Sequence, residues 1–495
     1  MEYNKINFVI VGGGTAGWIT ALKLRKQFPE NDITVIESSE IGILGAGEGT
    51  TPHFVDFLKK VDIDLFDFIK ATKATLKTGI KFNNWNGDGS HYFHPFDDKN
   101  FNFQKVSHIV GMMEIGEGKN LNEICLSAVC SEKNSVPINL VDNEWNFDSF
   151  FALHFDARLT AEYLKSIARS RNVNLIDCKV KGTTLDTKGN ISSIVLENGA
   201  AVECNFVFDC TGFRRMIIGD IFKTRWLDYQ ESLPVDRALP FFIQNNSNVI
   251  PPYTEAIAMK YGWVWKIPVQ GRFGCGYVFD SDYASDEEIA AEIRDMFGDV
   301  EIPRFFSFKA GYYEDVWVNN CIAIGLSSGF IEPLEATSIW VSIRSLDFLI
   351  DTCLPGVFDI VDNEYKKIYN EAVRNINSEI KDFLQLHYLT SRNDSAFWRE
   401  YRTKNKISNK LNYKSSCSVF DYITQSKISF PSFDPYYVNA GVKFFNKDVF
   451  KKHVDLFLKI PEYSNGSQLS SDLKREIEEY KNNHTTDHFL FLKSI

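Results

Sequence analysis

Near its start the chain reads NFVIVGGGTAGWITALKLRKQFPENDITVIES, an order of residues that few folds accommodate. Phe8 to Val11 form an unbroken apolar run suited to a buried parallel strand, and Gly12, Gly14 and Gly17 follow at GxGxxG spacing. An amphipathic stretch through Leu22 and Leu24 predicts a helix. Ile33 to Ile36 predict a second strand, ending on Glu37. Each glycine has a mechanical duty in such a unit: a tight turn at Gly12, close approach of backbone to a pyrophosphate at Gly14, helix packed on strand at Gly17. The helix start, with Thr15 and Ala16 between the last two glycines, offers unpaired N–H groups to phosphate. Glu37, twenty residues beyond Gly17, is placed to accept bonds from ribose hydroxyls. Strand, glycines, helix, strand and acid in one βαβ unit predict a dinucleotide site, which a lone glycine motif would not.

Two later segments look like returns to the same site. In GNISSIVLENGAAVECNFVFDCTGFRR an Asn198-Gly199 turn joins two strand-like runs, and a buried strand, Phe206 to Phe208, opens into Asp209, Thr211 and Gly212. In CIAIGLSSGFIEPLEATSIW a short strand, Ile322 to Ile324, is followed by Gly325 and a small-residue loop leading into a helix. A simple nicotinamide fold does not need these returns, whereas large FAD folds use them to cover the flavin. GILGAGEGTTP, Gly42 to Pro52, lies directly after the ribose acid and contains Ala46, Gly47 and Glu48. Alone it reads equally as a surface connection or as a strap beside a flavin.

Composition narrows the class. The 495 residues exceed one ordinary domain, yet no Pro/Ser/Gly-rich linker divides them, so two or three lobes on a continuous core are expected. A formal charge of -11 argues against a nucleic-acid footprint. The sequence has no apolar run near ~18 residues and no signal-peptide pattern, so neither membrane insertion nor secretion is expected, and a cytoplasmic location is. Nine scattered cysteines without a CxxC pair fit reduced thiols better than a disulfide frame or a metal site. GWVWKIP places Trp263 and Trp265 on one face of a strand, which in isolation reads as core.

In combination these pieces resemble the flavin-dependent halogenases of the tryptophan halogenase type. The matching segments are GGGTAGW, AGEGTTP, ATLKTGIKFNNW (Ala74 to Trp85), HFDARLTAEYLK (from His154), DCTGF, GWVWKIP and GFIEPLEATSI, in family order from about residue 8 to 345. The resemblance implies an α/β fold with an FAD-binding Rossmann core of the p-hydroxybenzoate hydroxylase-like, GR2 type. That core would occupy 1–345, with substrate-side sheet segments near 80–150 and 215–310, and a mainly helical region at 346–495 would cover the substrate. It further implies that reduced FAD and oxygen oxidise halide, and that hypohalous acid passes through a tunnel to an electron-rich aromatic carbon. Gly12, Gly14, Thr15, Ala16, Gly17, Glu37, Ala46, Gly47, Glu48, Asp209, Gly212, Gly325 and Ile339 are the cofactor contacts expected on this basis.

By the same resemblance Lys77 is the catalytic lysine, able to polarise hypohalous acid as an ammonium or to carry halogen as an amine. Glu335 is the carboxylate facing it, whether to tune the lysine, to bind the acid or to accept the ring proton. Glu332 reads as structural. Thr337 and Ser338 open the helix whose N–H groups would hold halide. Trp263, Trp265, Ile267 and Pro268 match a WxWxIP motif taken to keep substrate from the flavin. Tryptophan-specific members usually carry Ser-Thr-Gly after the glutamate, where this chain has Ala336-Thr337-Ser338. Tyr436 and Tyr437 stand where those members place a tyrosine pair, but Lys443 follows and no acid suited to an ammonium group is evident. An indole, phenol or other activated arene therefore fits as well as free tryptophan, and a carrier-bound form stays open.

Without a second dinucleotide fingerprint, a separate NAD(P)H-dependent flavin reductase is the expected source of reduced FAD. A homo-oligomer is compatible with the sequence. The competing readings are an aromatic monooxygenase of the same fold and a non-catalytic flavin-binding protein. In SDEEIAAEIRDMF a capping box, Ser285 to Glu288, and apolar Ile289, Ile293, Met296 and Phe297 predict a packing helix, and Glu364 to Leu389 predict another. His387, within the latter, reads as a hydrogen-bonded structural histidine.

Overall fold

The opening βαβ unit seeds a six-stranded sheet in the computed structural model, which describes residues 5–42, 48–96, 110–111, 113–142, 144–147, 150–303, 305–358, 363–409, 411, 435–444, 447–459, 461 and 464–495. The strand order is Asn174–Asp177, Asp32–Glu37, Asn7–Val11, Phe206–Asp209, Cys321–Ala323 and Trp317–Val318. Every pair is parallel except the last. Phe8, Val9 and Ile10 are fully buried, which is why this strand reads as an unbroken apolar run. The helix Thr15–Gln27 crosses from the first strand to the second. Val11 lies beside Ile36 and Asp209, and Asp209 beside Ala323, so the strands end along one edge, where open α/β sheets bind their ligands. The Asn198-Gly199 turn joins Ile191–Leu196 to Ala201–Glu203 as an antiparallel pair, with Gly199 at φ +86°.

The described residues also form a seven-stranded sheet. Its order is Phe306–Ser307, Arg237–Gln244, Arg272–Phe279, Gly262–Val269, Thr254–Ala258, Gly79–Asn83 and His91–Pro95, so segments near residues 80 and 260 become neighbours. Residue parity divides the tryptophan strand as expected. Trp263, Trp265 and Ile267 pack in one core with Phe82, Trp340 and Tyr388, while Val264 packs in another with Phe241, Ile289 and Ile293. The last two come from the helix Asp286–Phe297, whose capping box is formed. Met296 departs from the expected face and is 49 % exposed, because the buried stripe follows an i, i+4 line from Ile289 through Ile293 to half-buried Phe297.

A small antiparallel sheet, Glu48–Gly49, Ala152–Phe155 and Thr75–Lys77, contains both the end of the glycine-rich loop and Lys77. The C-terminal region is helical, led by the 26-residue helix Asn363–Tyr388. The closing helix His488–Ser494 reaches back to the lysine strand. There the Leu76 N–H donates to His488 Nε2 at 3.0 Å, and His488 Nδ1 donates to the Ile250 carbonyl at 2.8 Å. These partners fix one neutral tautomer, and burial holds this imidazole down at about 4. Among the described residues no helix is long and apolar enough to cross a membrane.

Candidate active site

The nucleotide edge has the spaces that a dinucleotide requires. A Cβ on Gly12, at φ +117°, would stand 2.1 Å from the Cys210 carbonyl oxygen, and one on Gly17 would stand 1.9 Å from the Gly12 oxygen. Both glycines are therefore closed in by backbone. A Cβ on Gly14, by contrast, would meet nothing within 4 Å, which leaves the open side that close approach of a pyrophosphate needs. Glu37 stands at its strand end with Oε1 on Lys165 Nζ at 2.7 Å, and its Oε2 lies where a side chain on Gly13 would be, 1.8 Å from that Cβ position. A Cβ on Gly325 would lie 2.7 Å from Ala16 Cβ, so the late loop meets the helix start through small residues. This chemistry fits FAD.

Two expected contacts have other duties. Asp209 accepts from Thr211 N–H and Oγ1–H through Oδ1, and from Ile217 and Ile218 N–H through Oδ2. With four internal donors it shapes the loop around Gly212 rather than presenting an oxygen to ligand. Glu48 is half-buried at the end of the glycine-rich loop, accepts from Thr15 Oγ1 at 3.4 Å, and is pushed up to about 7 by desolvation. Ala46 and Gly47 lie outside the described residues, as do 429–434 and the Tyr436 side chain. Ile339 is half-buried in the first turn of the helix Thr337–Asp351. That helix begins at Thr337, after Ala336 in left-handed conformation at φ 54°, so the N–H groups of Thr337 and Ser338 are among its unpaired first donors.

Lys77 is fully buried. Its Nζ donates to the Thr50 carbonyl at 3.0 Å, and the Phe96 ring centroid is 5.4 Å away. A Cβ on Gly49 would sit 3.5 Å from Nζ, so that glycine and Thr50, neither singled out from sequence, form one wall. Burial brings the ammonium down to about 8, partly offset by Glu335. Beneath it the Thr75 hydroxyl donates to the Pro268 carbonyl at 2.7 Å, tying the end of WxWxIP to the lysine strand. Having donated there, Thr75 Oγ1 accepts from His154 Nδ1 at 3.2 Å, and His154 Nε2 accepts from Thr254 at 2.9 Å. Desolvation keeps this histidine neutral, so it adds no charge beside the lysine.

Glu335 is held between two histidines. His94 Nδ1 stands 3.0 Å from both carboxylate oxygens, and His387 Nε2 is 2.7 Å from Oε1. His387 Nδ1 faces the Phe383 carbonyl at 3.0 Å, which can only accept, so Nδ1 carries hydrogen. Through Nε2 the same ring shares a proton with Glu335 Oε1, so the imidazole bridges a backbone carbonyl and the buried carboxyl. Burial opposes ionisation of Glu335, but His94 and His387 outweigh it and bring the carboxyl down to about 2. His387 is hydrogen-bonded as expected, yet its partner is the candidate catalytic carboxylate. Residue spacing offers no signal for that.

The indoles of Trp263 and Trp265 meet edge to face with centroids 6.3 Å apart. Trp265 pairs across the sheet with Gly276, where a Cβ would stand 2.1 Å from the indole ring. Trp263 Nε1 donates to Tyr388 Oη at 3.0 Å and lies 3.5 Å from Glu332 Oε2.

A glycine-lined nucleotide edge and a wholly buried lysine under the influence of the Glu335 carboxylate fit an FAD-dependent oxidoreductase. The chain belongs to the tryptophan halogenase family, whose model matches residues 7–452. It is 34 % identical to the tryptophan 6-halogenase SttH of Streptomyces toxytricini, over 81 % of this chain and 82 % of that one. It is 31 % identical to the tryptophan 7-halogenase RebH of Lentzea aerocolonigenes, over 83 % and 82 %. Among solved structures, the flavin-dependent halogenase Xcc4156 of Xanthomonas campestris superposes with a TM-score of 0.84 at 28 % identity, covering 99 % of this chain and 98 % of that one. The protein is a flavin-dependent halogenase, with the FAD-binding α/β fold and helical C-terminal region of that group, and uses halide and reduced FAD supplied by a separate reductase.

Proposed function

We propose that Lys77 is the proton-donating group that activates hypohalous acid against an electron-rich aromatic substrate, an indole or phenol, with Glu335 as the fixed anion opposite. The observation that carries this reading is the wholly buried Lys77 ammonium, with one N–H donated to the Thr50 carbonyl and a pKa brought down to about 8. FAD, when reduced and supplied with oxygen, provides the oxidation of halide. The backbone donors of Thr337 and Ser338 hold the halide. At Lys77 the aromatic C–X bond forms as the O–X bond breaks, and Nζ donates a proton to the departing hydroxide, releasing water. An amine titrating near 8 can then take back the ring proton, which restores the ammonium. Glu335, brought down to about 2 by His94 and His387, stays ionised, which suits the anion role. Trp263 and Trp265 keep the arene from the flavin side.

Lys443 lies 3.7 Å from Asp88, so its charge already has a partner. The substrate favoured is an activated arene, an indole or a phenol. The test supplies reduced FAD, oxygen, each halide in turn and a panel of indoles, phenols and free tryptophan, with products read by mass spectrometry. Lys77→Met is run alongside. Continued formation of trappable hypohalous acid with loss of aryl halide supports the assignment, and unchanged aryl halogenation by that variant overturns it.

A further inference from the structure

Two consecutive residues at the end of the helix Asn363–Tyr388 grip the loop that carries both glutamates. His387 holds Glu335, and the Tyr388 hydroxyl donates to Glu332 Oε2 at 2.7 Å. Tyr388 Oη also accepts from Trp263 Nε1, so indole, phenol and carboxyl close a triangle in which each polar atom is buried. Glu332 Oε1, equally buried, has no hydrogen-bond partner among the described residues. A buried acid with one unpaired oxygen is expensive, and the surrounding aromatic cluster would pack at least as well around an apolar side chain. The triangle therefore calls for a role beyond packing.

The two indoles are held by different means. Trp265 is fixed by shape, its ring filling the space left by Gly276. Trp263 sits among Phe82, Trp85 and Trp340, and its one polar atom is what the triangle engages. A hydrogen bond to Nε1 selects one orientation of an otherwise apolar ring.

We propose that Glu332 and Tyr388 are positioning residues that fix the Trp263 indole, and thereby set how much hypohalous acid reaches Lys77 instead of escaping. This rests on the reading of Lys77 and the paired tryptophans given above. Burial raises the Glu332 carboxyl to about 7, and the hydrogen bonds from Tyr388 and Trp263 pull the other way. The titratable groups facing it are Tyr388 and Tyr401. Since both donors lie on Oε2, the proton belongs on Oε1. Losing it as pH rises through about 7 makes Oε2 the stronger acceptor and tightens the grip on the indole.

The test uses Tyr388→Phe, which keeps the ring stacked on Tyr401 with centroids 5.0 Å apart, and Glu332→Gln, which keeps shape and an acceptor. Full-length protein is supplied with reduced FAD, oxygen, bromide and an indole, plus a soluble scavenger of hypohalous acid. The ratio of scavenged to aryl-bound halogen is measured. The Trp263 indole signal is followed separately in 15N–1H spectra of FAD-free protein, assigned with Trp263→Phe. Tyr388→Phe should raise the ratio several-fold at unchanged total halide oxidation and move the indole signal. Glu332→Gln should keep the ratio but abolish a pH dependence of the indole signal centred near 7. An unmoved indole signal with a wild-type ratio in Tyr388→Phe overturns the proposal, as does a parallel fall in both products at constant ratio. If Lys77→Met still makes aryl halide, the amine reading has failed, while the indole signal, which needs no turnover, still decides whether the positioning role stands.

Discussion

The nucleotide edge and the amine chamber are built on opposite plans. The first is nearly contiguous: Gly12 to Gly17 and Glu37 come from one βαβ unit, and what matters is absent Cβ atoms and free N–H groups. The second draws on Thr50, Lys77, His94, Glu335 and His387, from five separated segments, and works through charges withdrawn from water. Backbone geometry can be written locally, because glycine is needed at fixed offsets. Electrostatic preorganisation depends on which distant segments the fold brings together.

The sharpest way to break this contrast is Lys77→Met, which should reduce aryl halogenation by about 10³-fold, within the range for loss of a positioned acid, while FAD affinity stays unchanged. Product assay and flavin titration check the two halves independently. Glu335→Gln should cost about 10²-fold in halogenation. It should also lower the thermal midpoint, because His94 and His387 lose a buried carboxylate as hydrogen-bond partner. On the other side, Gly13→Ala would set a methyl against the Glu37 carboxylate and should weaken FAD binding about 10- to 100-fold, the worth of a charged hydrogen bond, as read by flavin fluorescence. Its halogenation should recover at saturating reduced FAD. The smallest effect concerns pH. On the proposed role the donor is the Lys77 ammonium, brought down to about 8 by burial, so halogenation should fall about fivefold from pH 8 to 9 as the donor is lost. A rise over that interval would favour the amine form as halogen carrier.

The nucleotide fold was legible because each of its signals lies within a few residues of the next. Strands at Asn7–Val11, Asp32–Glu37 and Phe206–Asp209 appear where apolar runs placed them. Lys77, Glu335 and the indole pair came from matched motifs rather than from residue physics, since a lysine in TLKTGIKF looks like any solvated lysine. Nothing local in HYFHPF marks His94 as a carboxylate partner. Tyr388 and His387 likewise look like the last turn of a packing helix, and only the fold shows two glutamates beneath them. Asp209 shows what a strand-terminal acid beside TGF does not reveal: its carboxylate accepts from Thr211 and from Ile217 and Ile218 in the turn that follows.

The vacancy opposite Trp265 carries a practical corollary. Because Gly276, its cross-strand partner on the same face, leaves the volume that this indole fills, bulk can be traded between the two strands: a smaller ring at 265 with a methyl or isopropyl group at 276 would conserve filled space. Redesign toward larger or differently oriented arenes would then begin on the neighbouring strand, leaving Lys77, Glu335 and their hydrogen-bond partners untouched.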